Sequence, residues 1–268
     1  MQYLWIYIIA ALAVLALALS AVIFWKVRKN VAEAEARQKS KLKKQMTSNI
    51  AHELRTPVTS IRGYLETLIA CPDMAPEKKQ MFLERAYNQT LRLSDLISDM
   101  ALITKIEESP DRLPKEEVDI YDVAAEVFDE FFERIVQKNV IVENVLKPET
   151  MVYGNRTLLY AIIRNLVENS LKYAGEGITI HIECYSRIDN QHYFMYYDTG
   201  HGVPEEHMER IFERFYRVQE GRSRDEGGSG LGLSIVRNSV AFHGGEIKVM
   251  NRHDGGLQFL FTLRRKTS

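Results

Sequence analysis

Cysteine is scarce in this chain, and the two cysteines do not form a recognisable site. Only Cys71 and Cys184 occur among 268 residues. They lie far apart in the sequence and lack the spacing of metal ligands. We therefore expect both thiols to be reduced and structural, as in proteins of a reducing compartment.

Charged residues are absent from the first 25 positions. An uncharged run of this length is sufficient for a membrane-spanning helix, which needs roughly 20 apolar residues. Trp5 and Trp25 suit the two membrane interfaces. Eight Lys or Arg residues but only two Glu residues follow between Lys26 and Lys44. By the positive-inside rule, the sequence predicts a single-pass transmembrane helix over 1–25, with the rest of the chain cytoplasmic.

No basic residue precedes the apolar run, which argues against a cleaved signal peptide. The basic stretch could instead bind nucleic acid, but no nucleic-acid recognition motif accompanies it. No sensor domain is recognisable outside the predicted membrane helix. We expect either a short anchored form or the cytoplasmic part of a larger receptor, beginning at its last membrane helix.

Glycine and proline are missing from 31–45, and the good helix formers there predict one continuous helix through residue 70. Two prolines then bracket a turn at 71–76. A second helix is predicted over 77–107, with a 4-3 repeat at Phe82, Ala86, Gln89, Leu93, Leu96, Met100 and Ile103. Pairing two such hairpins into a four-helix bundle would bury their stripes, so we expect a homodimer. Packing of the hairpin on the following domain is the alternative.

His52 is predicted to face solvent on the first helix. At about 100° per residue it lies roughly 200° from Leu54, a member of the apolar stripe. Glu53 is its neighbour, and Thr56 is one turn away on the same face. Pro57 has no amide proton, so we expect the helix to bend beside the histidine. On these residues alone, a surface histidine in a structural helix is the better interpretation.

A polar linker over 109–114 leads into a region with mixed α and β patterns. The predicted helices cover 119–138, with Asp119 as the cap, 155–173 and 231–242. The predicted strands cover 140–146, 178–186, 193–197, 246–251 and 257–263. We infer one mixed sheet with helices packed on one face.

Asn165, Asn169 and Lys172 share one face of the predicted helix over 155–173. Asparagine is a poor helix former, so two on one face suggest work on a ligand. An amide oxygen suits Mg²⁺, and a lysine suits phosphate. Helix capping or simple surface placement would explain these residues equally well.

Asp198, Gly200 and Gly202 lie where a predicted strand enters a turn. A carboxylate there can accept a hydrogen bond from an exocyclic amine, and the glycines allow close approach of a flat base. An ordinary Asp-Gly turn without a ligand would explain these residues about equally well.

The glycine-rich run at 227–234 leads into a helix, an arrangement that favours phosphate binding. No Gly-Lys-Ser/Thr follows, so the run is not a Walker loop, and the charged loop before it excludes the dinucleotide fingerprint. That loop, over 218–226, suits a lid over a nucleotide. Phe212 and Phe215 could anchor the base of the lid or simply pack in the core.

Five stretches, taken in order, resemble the sensor histidine kinases of bacterial two-component systems. They are His52-Glu53-Leu54-Arg55-Thr56-Pro57, Asn165-Leu166-Val167-Glu168-Asn169, Asp198-Thr199-Gly200-His201-Gly202, the pair Phe212 and Phe215, and Gly228-Ser229-Gly230-Leu231-Gly232-Leu233. The resemblance covers roughly 41–264. It implies a dimerisation and histidine phosphotransfer hairpin over 45–108 and an α/β sandwich that binds ATP over 114–268, shared with gyrase B. A transmembrane helix over 1–25 and a basic helical linker over 26–44 would precede them.

The resemblance also assigns roles. His52 would be the phosphoacceptor, Glu53 would orient it and take its proton, and Thr56 would help place the water that dephosphorylates the partner. Asn169 would bind Mg²⁺. Residues implied to bind ATP are Asn165, Asn169, Lys172, Tyr173, Asp198, Gly200, Gly202, Phe212, Phe215, Gly228, Ser229, Gly230, Leu231 and Gly232. His201 departs from the family pattern, which has an apolar or small residue there.

The expected activity is ATP-dependent autophosphorylation of His52, with ATP and Mg²⁺, and transfer of the phosphoryl group to an aspartate of a cytoplasmic response regulator. Regulator phosphatase activity is expected as well. The expected location is the bacterial inner membrane, as a homodimer without nucleic acid. The alternatives are an ATP-binding, membrane-tethered phosphatase or dimeric scaffold without autokinase activity, and an ATPase of the gyrase type.

Overall fold

The computed structural model describes residues 24–31, 33, 47–218 and 228–265. Contacts within the chain divide it into two units, Met1–Glu53 and Leu54–Ser268. In the described part of the first unit, residues 24–31, 33 and 47–53 are helical. None of the described helices is both long enough and apolar enough to cross a membrane. The predicted membrane helix over 1–25 and the predicted lid over 218–226 lie almost entirely outside the described residues.

The second unit begins with a helical hairpin. Helix α1 comprises the helical residues 54–70, and helix α2 covers Pro76–Glu108. Pro76 lies in the first turn of α2, where its missing N–H costs no helical hydrogen bond. The rings of Tyr64 and Phe82 lie 5.8 Å apart across the hairpin. All members of the 4-3 repeat are buried or half-buried, so the hairpin prediction and its turn are confirmed.

Seven strands follow the hairpin in the described part of the chain. They are β1 (Glu116–Asp119), β2 (Ile141–Asn144), β3 (Met151–Gly154), β4 (Thr179–Ile188), β5 (Gln191–Asp198), β6 (Ile247–Asn251) and β7 (Leu257–Arg264). Five of them form one sheet in the order β2-β4-β5-β7-β6. The β2-β4 pair is parallel and the other pairs are antiparallel, so the predicted mixed sheet is confirmed. Along β5, half-buried and buried residues alternate, as expected for a sheet with one face on a core.

Strands β1 and β3 form a separate antiparallel pair that the sequence analysis missed. Each strand has only four residues, which is too short for an alternating pattern to stand out. Val118 pairs with Val152, and both side chains are buried. Both valines belong to the hydrophobic core of the domain, so this small sheet packs against that core.

The helices of the domain are α3 (Ile120–Glu130), α4 (Phe132–Gln137), α5 (Arg156–Tyr173) and α6 (Gly232–Phe242). The prediction of one helix over 119–138 is wrong, because the chain turns at Phe131 (φ −94°, ψ 7°). The turn places the Phe131 ring in the core, where it is 5% exposed. The Asp119 cap is confirmed, since its Oδ1 accepts the Tyr121 N–H at 3.0 Å.

Helix α5 lies at the centre of the domain. Its Asn155 cap accepts the Leu158 N–H at 3.2 Å, as the sequence predicts. Leu166 packs in one hydrophobic cluster with Ile180 and Phe194 of the sheet, and all three are fully buried. Each such side chain stabilises the fold by about 1.5–3 kcal/mol. The packing fixes the polar face of α5 beside the end of β5.

Candidate functional site

His52 is exposed, as predicted, with 68% of its side chain accessible. Its Nδ1 lies 3.9 Å from Glu53 Oε1. This separation exceeds a hydrogen bond, but it allows attraction between the ring and the carboxylate. A carboxylate held near Nδ1 would favour a proton on that nitrogen, which makes Nε2 the candidate nucleophile.

Thr56 and Pro57 belong to the second unit. Thr56 is exposed, whereas Pro57 is buried, and both lie within helical residues. The predicted bend beside the histidine stays a prediction.

The two asparagines predicted to work on a ligand differ in their surroundings. Asn165 is 7% exposed, and its Nδ2 donates to the Ala161 carbonyl at 2.7 Å. The Nδ2 atom of Asn169 is buried and has no hydrogen-bond partner among the described residues. The fold therefore uses the first amide and leaves the second available for a ligand.

Lys172 is paired with Glu168, a residue to which the sequence analysis gave no role. Lys172 Nζ lies 2.7 Å from Glu168 Oε1, and Arg164 Nη1 lies 3.3 Å from the other oxygen. Burial favours a higher pKa for Glu168, but Lys172 and Arg164 outweigh it and lower the pKa below its usual value. Glu168 is therefore ionised at neutral pH. Contact between Lys172 and phosphate stays a prediction.

Asp198 ends β5 as a buried carboxylate, 5% exposed. Its Oδ1 accepts the N–H groups of Gly200 at 3.0 Å and Leu257 at 3.3 Å. Its Oδ2 accepts the Ser170 hydroxyl at 2.8 Å, and Ser170 in turn accepts the Tyr196 hydroxyl at 3.0 Å. Burial, together with the charge of Asp198, raises the pKa of Tyr196 well above its usual value. The carboxylate is thus fixed in one orientation at the end of the strand.

The turn after Asp198 lies close to the end of α5. A side chain at Gly200 would overlap Ala174, the residue that follows α5. Gly202 has φ +72°, and a Cβ there would lie 2.5 Å from Asn251 Oδ1. His201 is exposed. Both glycines are therefore required by the turn itself, and their predicted contact with a base stays a prediction.

The glycine-rich segment lies directly against α5. A side chain at Gly228 would overlap the Tyr173 hydroxyl. A Cβ at Gly232 would lie 2.6 Å from Asn165 Oδ1. Two stretches of the predicted nucleotide site are thus in contact, although about 60 residues separate them in the sequence.

The start of α6 offers donors to an anion. Leu231 is the residue before the helix, and no side chain caps the first turn. The Leu231 N–H donates to Ser229 Oγ at 3.2 Å. The first-turn N–H groups of a helix have no helical acceptors, and the helix dipole adds positive potential there. This geometry suits phosphate oxygens.

Phe212 and Phe215 contribute in different ways. The Phe212 ring packs edge-on against Phe259 of the core at 6.4 Å, which favours core packing. Phe215 has φ +63°, and its N–H donates to the Gly230 carbonyl at 2.8 Å. Gly230 itself has φ +70° and lies within 2.8 Å of the Phe215 backbone at its Cβ position. The backbone of Phe215 therefore holds the glycine-rich segment in place.

The donors present fit a magnesium ion that is shared with a nucleotide. The described residues contain no group of three or more His, Cys, Asp or Glu side chains that could hold a metal by themselves. Asn169 offers a side-chain amide whose buried Nδ2 has no hydrogen-bond partner among the described residues, and an amide oxygen is a ligand type that Mg²⁺ accepts. Mg²⁺ commonly takes one or two protein ligands together with phosphates and water.

Two residues at this site could not be identified from the sequence. Ser170 orients Asp198, and Asp99 of α2 accepts the Ser229 hydroxyl at 3.3 Å. Burial raises the pKa of Asp99 to about 6, although the Ser229 hydrogen bond lowers it. Neither residue stands in a local pattern, and their partners are 28 and 130 positions away.

Sequence profiles of two families match the chain. Residues 42–109 match the His Kinase A (phospho-acceptor) domain. Residues 154–267 match the histidine kinase-, DNA gyrase B- and HSP90-like ATPase family. The first match includes His52, and the second begins at the end of β3 and includes the glycine-rich segment.

Relatives with known names point the same way. The sensor histidine kinase WalK of Bacillus subtilis is 31% identical over 230 residues, which are 84% of this chain and 37% of WalK. The chain spans between 35% and 48% of the length of three curated relatives that it matches, WalK among them.

Two solved structures have a similar fold. The histidine kinase AdeS of Acinetobacter baumannii has a TM-score of 0.66 at 24% identity, over 81% of this chain and 98% of that one. The histidine kinase ThkA, solved in complex with the response regulator protein TrrA, has a TM-score of 0.65 at 26% identity, over 86% of this chain and 64% of that one.

Proposed function

Because this chain belongs to the sensor histidine kinases of two-component systems, we propose that it transfers the γ-phosphoryl group of ATP to His52. The phosphoryl group then passes to an aspartate of a response regulator. One observation carries the proposal: the glycine-rich segment packs directly on the asparagine face of α5. That contact brings the amides at the start of α6 to the face of α5 that carries Asn165 and Asn169.

In the proposed site, the adenine lies at the end of β5 and the phosphates lie at the start of α6. Asp198 accepts a hydrogen bond from the exocyclic amine of the base, while Ser170 holds the carboxylate in place. The ring of Tyr173, 48% exposed, lies beside the base. The remaining predicted contacts come from Gly200, Gly202, Phe212, Phe215, Gly228, Ser229, Gly230, Leu231, Gly232, Asn165 and Lys172.

Magnesium is part of the proposal. Asn169 would hold the ion through its amide oxygen, and the ion would neutralise charge that develops on the transferred phosphoryl group. Lys172 shares its charge with Glu168 in the structure. A phosphate oxygen would therefore compete with that carboxylate for the ammonium group.

The chemistry at the acceptor follows from the His52 and Glu53 pair. Glu53 near Nδ1 keeps the proton on that nitrogen, so the Nε2 lone pair attacks the γ-phosphorus. The new N–P bond forms as the bond from γ-phosphorus to the bridging oxygen breaks, and ADP leaves with that electron pair. Glu53 then takes the Nδ1 proton. In the regulator phosphatase reaction, Thr56 would place the water that dephosphorylates the regulator.

The proposal includes a response regulator and a second copy of the chain. The ThkA structure contains a response regulator, which supports the first partner. Helix α2 exposes Leu83, Tyr87, Leu91 and Ile97, each at least 44% accessible. A second hairpin would cover these side chains in a four-helix bundle.

We also propose the domain limits and the location predicted from the sequence. The limits are 1–25 for the membrane helix, 26–44 for the linker, 45–108 for the hairpin and 114–268 for the ATP-binding domain. The uncharged first 25 residues, followed by a basic run, support a single pass through the bacterial inner membrane with cytoplasmic C-terminal domains.

The proposal is tested by incubating the purified chain with γ-labelled ATP and Mg²⁺. We expect acid-labile label on the wild type and none on His52→Gln. His253→Gln is the matched control, because the His253 side chain is fully exposed in a turn. Label that persists undiminished in His52→Gln would contradict the proposal. Steady ATP hydrolysis indifferent to His52 would indicate an ATPase instead.

A further inference from the structure

Asp99 reaches from the hairpin into the phosphate-binding segment of the ATP-binding domain. It lies on α2, and its Oδ2 accepts the hydroxyl of Ser229 at 3.3 Å. The same Ser229 oxygen accepts the Leu231 N–H at 3.2 Å. The carboxylate is therefore joined, through one hydroxyl, to the segment whose N–H groups precede α6.

The surroundings of Asp99 make its charge unfavourable. Asp99 is half-buried, and burial is the main cause that raises its pKa to about 6. Glu168 of α5 and Asp95 of α2 raise it further, whereas Ser229 and Arg164 lower it. At neutral pH most of the population still carries the negative charge.

A second contact joins α2 to the segment that precedes Phe215. Arg214 forms an ion pair with Glu107, and its Nη1 lies 3.2 Å from Glu107 Oε2. Glu107 follows Asp99 by about two helical turns. Arg214 directly precedes Phe215, whose N–H binds the Gly230 carbonyl. Helix α2 therefore contacts the glycine-rich segment directly, through Ser229, and also contacts Arg214, the residue before Phe215.

We propose that the Asp99 carboxylate is an autoinhibitory latch: it occupies the Ser229 hydroxyl and repels the nucleotide phosphates, which must displace it. This inference rests on the proposed function, because it assumes that phosphates bind at the glycine-rich segment. A carboxylate and a phosphate compete for the same donor, and their like charges repel at short range. Nucleotide binding and the Asp99 contact are therefore mutually opposed.

ATP binding and the Asp99–Ser229 contact weaken each other. If the latch weakens ATP binding, then ATP weakens the latch by the same factor. Bound ATP would thereby release the ATP-binding domain from α2 at the Ser229 contact.

The test measures binding of a fluorescent nucleotide, N-methylanthraniloyl-ATP with Mg²⁺, to the full chain at neutral pH. Asp99→Asn keeps the shape of the side chain and removes its charge. We expect its Kd to fall by roughly three- to tenfold relative to wild type, the range expected for one nearby, partly screened like charge. Asp95→Asn is the matched control, since Asp95 is an exposed acid one turn away on α2. We expect its Kd to stay within about twofold of wild type.

Ser229→Ala shows whether Asp99 acts through Ser229. In the Ser229→Ala background, Asp99→Asn should give a smaller gain than in wild type, because the shared hydrogen bond is already lost. A Kd of Asp99→Asn equal to that of Asp95→Asn would overturn the latch. A weakened affinity in Asp99→Asn would also overturn it, because the carboxylate would then assist the nucleotide.

Failure of the proposed function gives a different result. If neither the wild type nor Asp99→Asn binds the fluorescent nucleotide, the nucleotide site and the latch are both overturned. If both bind with equal Kd, only the latch is overturned. The melting temperature of each variant, measured in parallel, confirms that the comparison is made between folded proteins.

Discussion

The Asp198 carboxylate accepts the Ser170 hydroxyl at 2.8 Å, and this contact joins the end of β5 to the last turn of α5. Tyr196 donates to Ser170 in turn, so three buried polar groups form one chain of hydrogen bonds. The chain leaves Asp198 pointing in one direction. A base bound there would meet a carboxylate that needs no reorientation.

Asp198→Asn should weaken ATP binding by roughly ten- to a hundredfold, which corresponds to a lost hydrogen bond to a buried charged acceptor. The amide would present a donor where the base also presents one. Nucleotide titration measures the effect. Asp254→Asn is the control, because that turn carboxylate is 82% exposed. Equal affinities of the two variants would contradict the assigned role of Asp198.

Ser170→Ala should lower the free energy of unfolding by about 1–3 kcal/mol, because the buried Tyr196 hydroxyl loses its acceptor. Tyr196→Phe removes that unpaired hydroxyl. In a double-mutant cycle, the combined variant should therefore be less destabilised than the sum of the single variants. Denaturant unfolding provides the measurement, and simple additivity would show that the two hydroxyls act independently.

Gly232→Ala and Gly63→Ala should have opposite effects on stability. A Cβ at Gly232 would lie 2.6 Å from Asn165 Oδ1, whereas nothing lies within 4 Å of a Cβ at Gly63. Gly63 is exposed within helix α1, so alanine there should stabilise the fold by about 0.5–1 kcal/mol. Gly232→Ala should destabilise it and weaken nucleotide binding. Melting curves of both variants check the contrast, and a stabilised Gly232→Ala would contradict the described packing.

His243 should make the fold sensitive to acid. Its Nε2 accepts the Asn155 N–H at 3.0 Å, and its Nδ1 donates to the Ser239 carbonyl at 2.6 Å. The first contact needs the lone pair of Nε2 and is lost when that nitrogen is protonated, whereas the second can persist in the charged ring. Burial lowers the pKa of His243 to about 4 from its usual 6.5. The unfolded chain therefore binds the proton more readily between these values, and stability falls as pH falls through this window.

The loss at His243 should reach about 3 kcal/mol on complete protonation. His243→Phe removes the titrating group and leaves the Asn155 N–H unpaired. At neutral pH the variant should be less stable than wild type, and the difference should narrow as pH falls from 6.5 towards 4. His253→Phe changes an exposed ring and serves as the control. A constant difference between wild type and His243→Phe would contradict the role of the neutral ring.

Pro57→Ala should stiffen the helix beside His52 and change the ratio of kinase to regulator phosphatase activity. Alanine restores an N–H that can complete the helical ladder. Pro76→Ala is the matched control, because Pro76 lies in the first turn of α2, where no helical hydrogen bond is missing. An unchanged ratio in Pro57→Ala would exclude a switching role for the bend.

Local patterns predicted the elements that have long, regular repeats. The repeat in α2, the Asn155 cap of α5 and the alternation of β4 and β5 all carry periodicity or capping chemistry over enough residues to be distinguished. The break at Phe131 could not be predicted in this way, because the apolar spacing continues across it while the backbone turns.

The site residues divide in the same way. Asparagine on a helix face, a carboxylate before a glycine turn and a glycine-rich run all have local signatures. Asp99 and Ser170 do not, because each acquires its role from a partner that only the tertiary fold brings near. The contact between Gly232 and Asn165 likewise depends on the packing of α6 against α5.

The most direct test of the proposed function is to locate the phosphoryl group after reaction with ATP and Mg²⁺. Peptides from the reacted chain are separated at neutral or basic pH, where phosphohistidine survives, and sequenced by mass spectrometry. We predict one phosphoryl group on the peptide that contains His52, and none on that peptide from Asn169→Ala. A phosphoryl group on another residue, or ATP consumption with an unmodified His52 peptide, would contradict the proposal.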